Sequence, residues 1–193
     1  MMVTKALAES WVGIIGQYGE MASVLAADLF EVEAVAMGLR PRTVTVPAVD
    51  PERAIARLGW AVSEQNQMGN ALGLLDELVK QPYRSTYQKS AWQSGAGWAR
   101  VPSGREPCRW CLMLASRGGV YNSKQLASLG TDGRKYHGDC HCVPTLVRGP
   151  RDYPAGYDPD ALYEQYQAAR SAAETTDAQG IAAAWRNLSG VAH

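Results

Sequence analysis

Four cysteines, Cys108, Cys111, Cys140 and Cys142, fall within one 35-residue window, and the 193-residue chain has no others. The full pattern is Cys108-Arg109-Trp110-Cys111, a gap of 25 residues, then His137-Gly138-Asp139-Cys140-His141-Cys142. A C-x-x-C turn aims two thiolates at one ion, and a second Cys/His cluster can close a tetrahedron around it, the arrangement zinc prefers. Two tight pairs also suit a disulfide framework, but such frameworks belong to exported proteins. The opening residues, MMVTKALAESW, reach Glu9 before any apolar run, so no export signal is expected. One structural zinc is therefore the favoured reading.

Six candidates compete for four places. The expected ligands are Cys108, Cys111 and His137, with one of Cys140 or Cys142. An i, i+2 pair on an extended strand points to opposite faces, which would leave the other of those two as a buried bystander. Alternatives stay open: a disulfide from Cys108 or Cys111 to Cys140 or Cys142, or unliganded packing of small residues. The same residues can be written as a thiol nucleophile with His137 as base and Asp139 as orienter, or as a zinc hydrolase with Asp139 as its carboxylate base. Outside the cysteine cluster no catalytic constellation is visible, so the chain is expected not to be an enzyme. A module of about 50 residues has little core and usually needs a staple. Structural zinc supplies on the order of 10–16 kcal/mol of apparent binding free energy.

Around this module the sequence reads as helix. Leu7, Trp11, Ile14, Tyr18, Met21, Leu25 and Val32 recur at alternating spacings of three and four, with Asp28 in one seam position. This predicts a long helix over 4–37 whose stripe packs against another helix. Two prolines and a β-branched run break it over 38–49. Asp50-Pro51-Glu52 is a cap-then-proline helix start. Ile55, Leu58, Val62, Met68 or Gly69, Leu72, Leu75 and Val79 carry that helix to about residue 80, where Pro82 interrupts or kinks it before a resumption over 83–93.

Beyond residue 96 the texture changes. Strands are expected at 98–101 and 141–147, and a short helix over 108–116. A further strand is expected at Val120-Tyr121, and a capped helix from Asn122 to Leu129. The tail opens on Tyr157-Asp158-Pro159-Asp160, and Thr176-Asp177-Ala178-Gln179 fits a second capping box. The fold class is thus α+β, predominantly α: long N-terminal helices forming a hairpin or bundle (1–96), a zinc-stapled α+β module (97–151) and C-terminal helices (152–193).

Charge is segregated in the same way. Nineteen basic and nineteen acidic residues give zero net charge, which excludes a generally basic nucleic-acid binder. Yet residues 97–151 hold nine basic against three acidic side chains, an excess of six. Arg105, Arg109, Arg117, Arg134 and Lys135 are the candidates for contacting DNA phosphates without reading sequence.

The runs Arg100-Val101-Pro102-Ser103-Gly104, Pro107 to Gly118 (PCRWCLMLASRG) and Tyr136-His137-x-x-Cys140-x-Cys142 resemble the phage Mu F-like minor head proteins, most closely those of phages of actinobacteria. The tail motif Tyr157-Asp158-Pro159-Asp160-Ala161-Leu162-Tyr163-x-x-Tyr166 is similar to theirs as well, so the resemblance covers about residues 97–170. It implies a minor capsid, head-morphogenesis protein of a tailed phage, present in the virion in few copies in the head interior or near the portal, and in the host cytoplasm during assembly. Portal protein, major capsid protein and packaged DNA are the implied partners, with the helical stripes engaging the proteins and no membrane involved. Related modules also occur as linkers in large toxins. The alternative is therefore a zinc-containing nuclease or transferase carried in the head as an effector.

Overall fold

The computed structural model describes residues 3–104, 107–119, 140–149 and 152–189. The chain separates after Gly95 into two compact units, the first helical and the second mixed, in agreement with the α+β, predominantly α expectation.

In the first unit, helix α1 runs Lys5–Ala36, capped by the Thr4 hydroxyl, which accepts from the Leu7 amide at 3.3 Å. Helix α2 (Pro51–Ala61) starts where the sequence places it, with the Asp50 carboxylate accepting from the Arg53 amide at 3.0 Å and Pro51 at the first helical position. The expected continuation to residue 80 does not occur. The chain breaks over 62–66, where Asn66 takes a left-handed conformation (φ 57°), and α3 then runs Gln67–Gln93. Asparagine tolerates that conformation, and the polar run Ser63-Glu64-Gln65 offers no apolar face to continue α2. Pro82 neither ends nor interrupts α3. It costs one backbone hydrogen bond, and its buried ring packs where α1 presents Gly19: a Cβ there would lie 3.3 Å from Pro82 Cγ and 3.1 Å from Ala48 Cβ.

The packing face of α1 is also not the one the stripe predicts. Trp11, Ile15, Gly19, Ser23, Ala26, Ala27, Phe30 and Ala34 are buried. Along one line of the seam, exposure climbs from 6 % at Trp11 to 51 % at Tyr18, 61 % at Leu25 and 68 % at Val32. The cause is arithmetic. A strict seven-residue repeat drifts by about 20° per heptad on a straight 3.6-residue helix, so the stripe begins against the core and rotates into solvent. The core between the helices forms instead from Trp11, Ile15, Leu58, Val62, Leu74 and Leu78. Arg57 of α2 and Glu77 of α3 add a two-pronged ion pair, both N–O distances being 2.8 Å.

The linker over 38–49 is extended and bound between α1 and α3. Alternate amides donate to side chains: Arg42 to Ser94 Oγ (2.8 Å), Val44 to Ser90 Oγ (3.0 Å), Val46 to Ser23 Oγ (3.0 Å) and Thr86 Oγ1 (2.8 Å), and Ala48 to Glu20 Oε1 (2.9 Å). Two residues of extended chain advance about 6.6 Å and four helical residues about 6 Å. Hydroxyls at 86, 90 and 94 on α3 therefore match amides at 46, 44 and 42 running the other way.

The second unit holds strands β1 (Gly97–Val101) and β2 (Val143–Val147), paired antiparallel with Trp98 opposite Leu146 and Arg100 opposite Pro144. Helices α4 (Arg109–Ala115), α5 (Pro159–Ala172) and α6 (Ala178–Ser189) complete it. The tail helices share the module's core: Leu112 and Met113 of α4 pack with Ala169, Ile181 and Trp185. Tyr157 donates to the Ala115 carbonyl at 2.6 Å. Asp158 caps α5 as expected, accepting from Asp160 and Ala161 at 3.0 Å each. For α6 the cap is Asp177, one residue later than the capping-box reading: its Oδ1 accepts from the amides of Gln179 (2.9 Å) and Gly180 (2.8 Å). The strand expected at 120–121 and the helix expected over 122–129 lie outside the described residues.

Candidate metal centre

Three pieces of the second unit bring the thiols together: the start of α4, the segment leading into β2, and β1 paired beside it. Helix α4 forms because Leu112-Met113-Leu114-Ala115 is an apolar run of good helix formers with no β-branched residue. Its N-cap is Cys108, held extended (φ −64°, ψ 154°) so that its sulfur accepts from the Cys111 amide at 3.3 Å. The C-x-x-C motif is thus the first turn of a helix. Past Ser116 the chain turns at Gly118, whose left-handed φ of 62° favours glycine.

Cys111, Cys140 and Cys142 are all buried, and their sulfurs lie within 4.8 Å of one another, with Cys111 and Cys140 at 3.4 Å. In a tetrahedron with zinc–sulfur distances of about 2.3 Å, ligand sulfurs stand roughly 3.8 Å apart. All four cysteines are free thiols, Cys108 being the exposed one. The Cys111 thiol donates to Cys108, which raises its pKa far above the ordinary value; its hydrogen bonds to Cys140 and Cys142 and burial push the same way. Cys142 is pushed up to about 12: the hydrogen bond it accepts from Cys111 pulls it down, but the one its thiol donates to Cys140, burial and the charge of Cys140 outweigh that. The crowded thiols therefore hold their protons, which a metal ion would have to displace. The donor set and spacing fit zinc.

Cys140 and Cys142 are not sent to opposite faces, the geometry that would make one of them a bystander. Residues 140–142 precede β2 and have no regular strand conformation, so the alternation that would split the pair does not apply and both sulfurs face Cys111. The exposed His141 between them is outside the cluster. His137 and Asp139 lie outside the described residues. Sequence reasoning missed Arg100, which is fully buried on β1 and whose positive charge acts on Cys142 to lower its pKa. Its position opposite Pro144, two residues after Cys142, is visible only once the strand register is known.

The basic residues do not converge in the same way. Arg109 opens α4 and is half-buried, whereas Arg117 is exposed just past its end, roughly 12 Å further along at 1.5 Å per residue. Arg148 is paired with Asp152 at 3.7 Å. Arg105, Arg134 and Lys135 lie outside the described residues.

A mainly helical chain carrying a small thiol-clustered α+β unit is the class that fold and site define. The chain belongs to the VG15 protein family, whose pattern matches residues 1–169. It is similar to the Gene 15 protein of Mycobacterium phage D29, with 33% identity over 85 residues, or 44% of this chain and 28% of that protein. The Gene 15 protein of Mycobacterium phage L5 is 35% identical over 77 residues, covering 40% of this chain and 24% of its own length. The chain thus matches about a quarter of the length of these curated relatives, and it is a bacteriophage protein. No solved structure matches it. Among the described residues, no helix is long and apolar enough to cross a membrane.

Proposed function

We propose that this chain is a minor structural protein of a tailed-phage head, of the Mu F-like kind, acting in assembly near the portal, with its C-terminal unit stapled by one zinc. The observation that carries the reading is the buried thiol trio, Cys111, Cys140 and Cys142, inside a phage-family chain whose motifs resemble Mu F-like proteins. Zinc held by thiolates alone, or by thiolates and one imidazole, is a closed structural site that supplies folding energy rather than an open coordination position. Cys108 at the cap of α4 and His137 compete for the fourth place.

The role is scaffolding, not catalysis. In the first unit Trp60 (66 % exposed), Met68 (73 %) and Leu72 (58 %) stand around the break between α2 and α3, an apolar surface suited to a portal or capsid protein. Contact with packaged DNA through Arg109, Arg117 and the basic residues outside the described segments is a secondary part of the reading. It rests on fewer groups than the sequence count suggests, since Arg100 is buried and Arg148 is paired.

Mass spectrometry and particle reconstruction of purified virions of the source phage test this. The reading expects the chain in the particle at low copy number, beside the portal. A chain found only free in the infected cell would sink it, and an activity lost in Asp139→Asn with assembly intact would favour the effector alternative.

A further inference from the structure

From Ile14 onward the heptad stripe on α1 is long, regular and exposed. Ile14 (39 % exposed), Tyr18 (51 %), Met21 (52 %), Leu25 (61 %), Val32 (68 %) and Val35 (60 %) keep the alternation of four and three from residue 14 to residue 35, with Asp28 filling the remaining position. Val24 and Leu29 widen the strip, both exposed. A seven-residue repeat sustained over this length is what a helix needs when it supercoils with another helix. The contacts of α1 within its own unit use another face, on which Ile15 and Phe30 alternate with the small residues Gly19, Ser23, Ala26, Ala27 and Ala34.

We propose that this face pairs with a second copy of the chain, α1 against α1, as an antiparallel two-fold dimer. The stripe's own polar residues, Tyr18 and Asp28, are complementary to a second copy of it, and charge selects the direction. A parallel pair would set Asp28 directly against Asp28 of the second copy, two carboxylates facing in a seam. An antiparallel pair centred at the level of residue 23 sets Met21 against Leu25 of the second copy, Ile14 against Val32, and Tyr18 against Asp28. The phenol then donates to the one carboxylate in the seam, and Glu31 lies alongside Gln17. No two seam carboxylates oppose each other in that register, and each contact is repeated by symmetry, as an isologous interface requires. Eight apolar side chains, each 39–68 % exposed, supply the apolar surface that such an interface would bury.

Analytical ultracentrifugation of the full chain, at concentrations up to about 100 µM so as to exceed the ~µM dissociation constants of weak interfaces, tests the proposal. The expected mass is twice the 20.9 kDa of one chain. Leu25→Lys should return the single-chain mass with unchanged helical circular dichroism, because that side chain is already 61 % exposed. The polar pair tests the register: Tyr18→Glu should dissociate the dimer, Tyr18→Lys should keep it, and Tyr18→Glu combined with Asp28→Lys should restore it. A monomeric wild-type chain, or a dimer indifferent to Leu25→Lys, would overturn the proposal. Failure of the combined variant to re-associate would overturn the antiparallel register.

Discussion

The sulfurs of Cys111 and Cys140 stand 3.4 Å apart, 29 residues apart in sequence, one from the first turn of α4 and the other from the segment entering β2. That separation is well beyond the ~2.05 Å of a disulfide bond and close to the distance between two ligands of one tetrahedral metal. The geometry links short pieces of chain: α4 has seven residues and each strand has five.

Breaking the cluster should therefore unfold more than a turn. Cys111→Ser is expected to abolish zinc retention and melt the second unit while the α1–α3 unit stays helical, a split readable as loss of one of two transitions in calorimetry. Cys108→Ser should weaken retention less, because Cys108 is exposed and stands outside the close trio.

Zinc binding should be strongly proton-coupled. The metal-free thiols of Cys111 and Cys142 are held above the ordinary cysteine value. They are thus protonated at neutral pH and must release protons to the metal. Apparent zinc affinity should rise with pH, by about one decade per pH unit for each thiol proton displaced. In the metal-free protein, folding holds these protons more tightly than the unfolded chain does. Its stability should fall once pH passes the unfolded thiol value of about 8.5 and keep falling toward about 12, the value of Cys142. The zinc-loaded protein should lack that alkaline loss, and pH-dependent denaturation with and without chelator distinguishes the two.

Arg100 supplies a buried positive charge beside Cys142, and a zinc with three or four thiolates is anionic. Arg100→Leu should lower zinc affinity on the order of 10–100-fold, the usual effect of removing a group that supports metal ligands. A chelator-competition titration reads this, and an unchanged affinity would remove Arg100 from the account.

The helical unit makes two opposite forecasts for glycines on α1. Nothing lies within 4 Å of where a Cβ would sit at Gly13 or Gly16, so Gly16→Ala should stabilise by about 0.5–1 kcal/mol. Gly19 faces Ala48 and Pro82 at 3.1 and 3.3 Å, and Gly19→Val should destabilise by about 1–3 kcal/mol through overpacking. Chemical denaturation of each variant checks both signs.

Removing the buried Ser90 hydroxyl should release the extended linker. Ser90→Ala leaves the Val44 amide without its 3.0 Å acceptor, at a cost of about 1–3 kcal/mol. Hydrogen exchange should quicken at Val44 before it does at Val46, whose amide has two acceptors.

Elements whose signals are local were legible in the sequence. The Asp50 and Asp158 caps, the two strands, α4 and the grouping of cysteines all follow from residues near one another in the chain. What stayed hidden depends on partners elsewhere. The α1 stripe has the right period for packing, but the small residues Gly19, Ser23, Ala26 and Ala34 on another face let α3 and the linker approach, and no helical pattern distinguishes which face wins. Pro82 reads as a breaker until Gly19 is seen to receive it. The hydroxyl ladder on α3 is likewise invisible: Thr86, Ser90 and Ser94 look like ordinary polar helix residues until the amides over 42–46 lie across them. Within the site, the cysteine identities were legible, but the convergence of Cys140 and Cys142 was not, because it depends on where β2 begins.

X-ray absorption at the zinc edge, on the full chain purified without chelator, tests the zinc-stapled account most directly. It predicts one zinc per chain with a shell of three or four sulfurs at about 2.3 Å, the count deciding between Cys108 and His137 as the fourth ligand. A folded chain without zinc, or zinc surrounded only by nitrogen and oxygen, would contradict it.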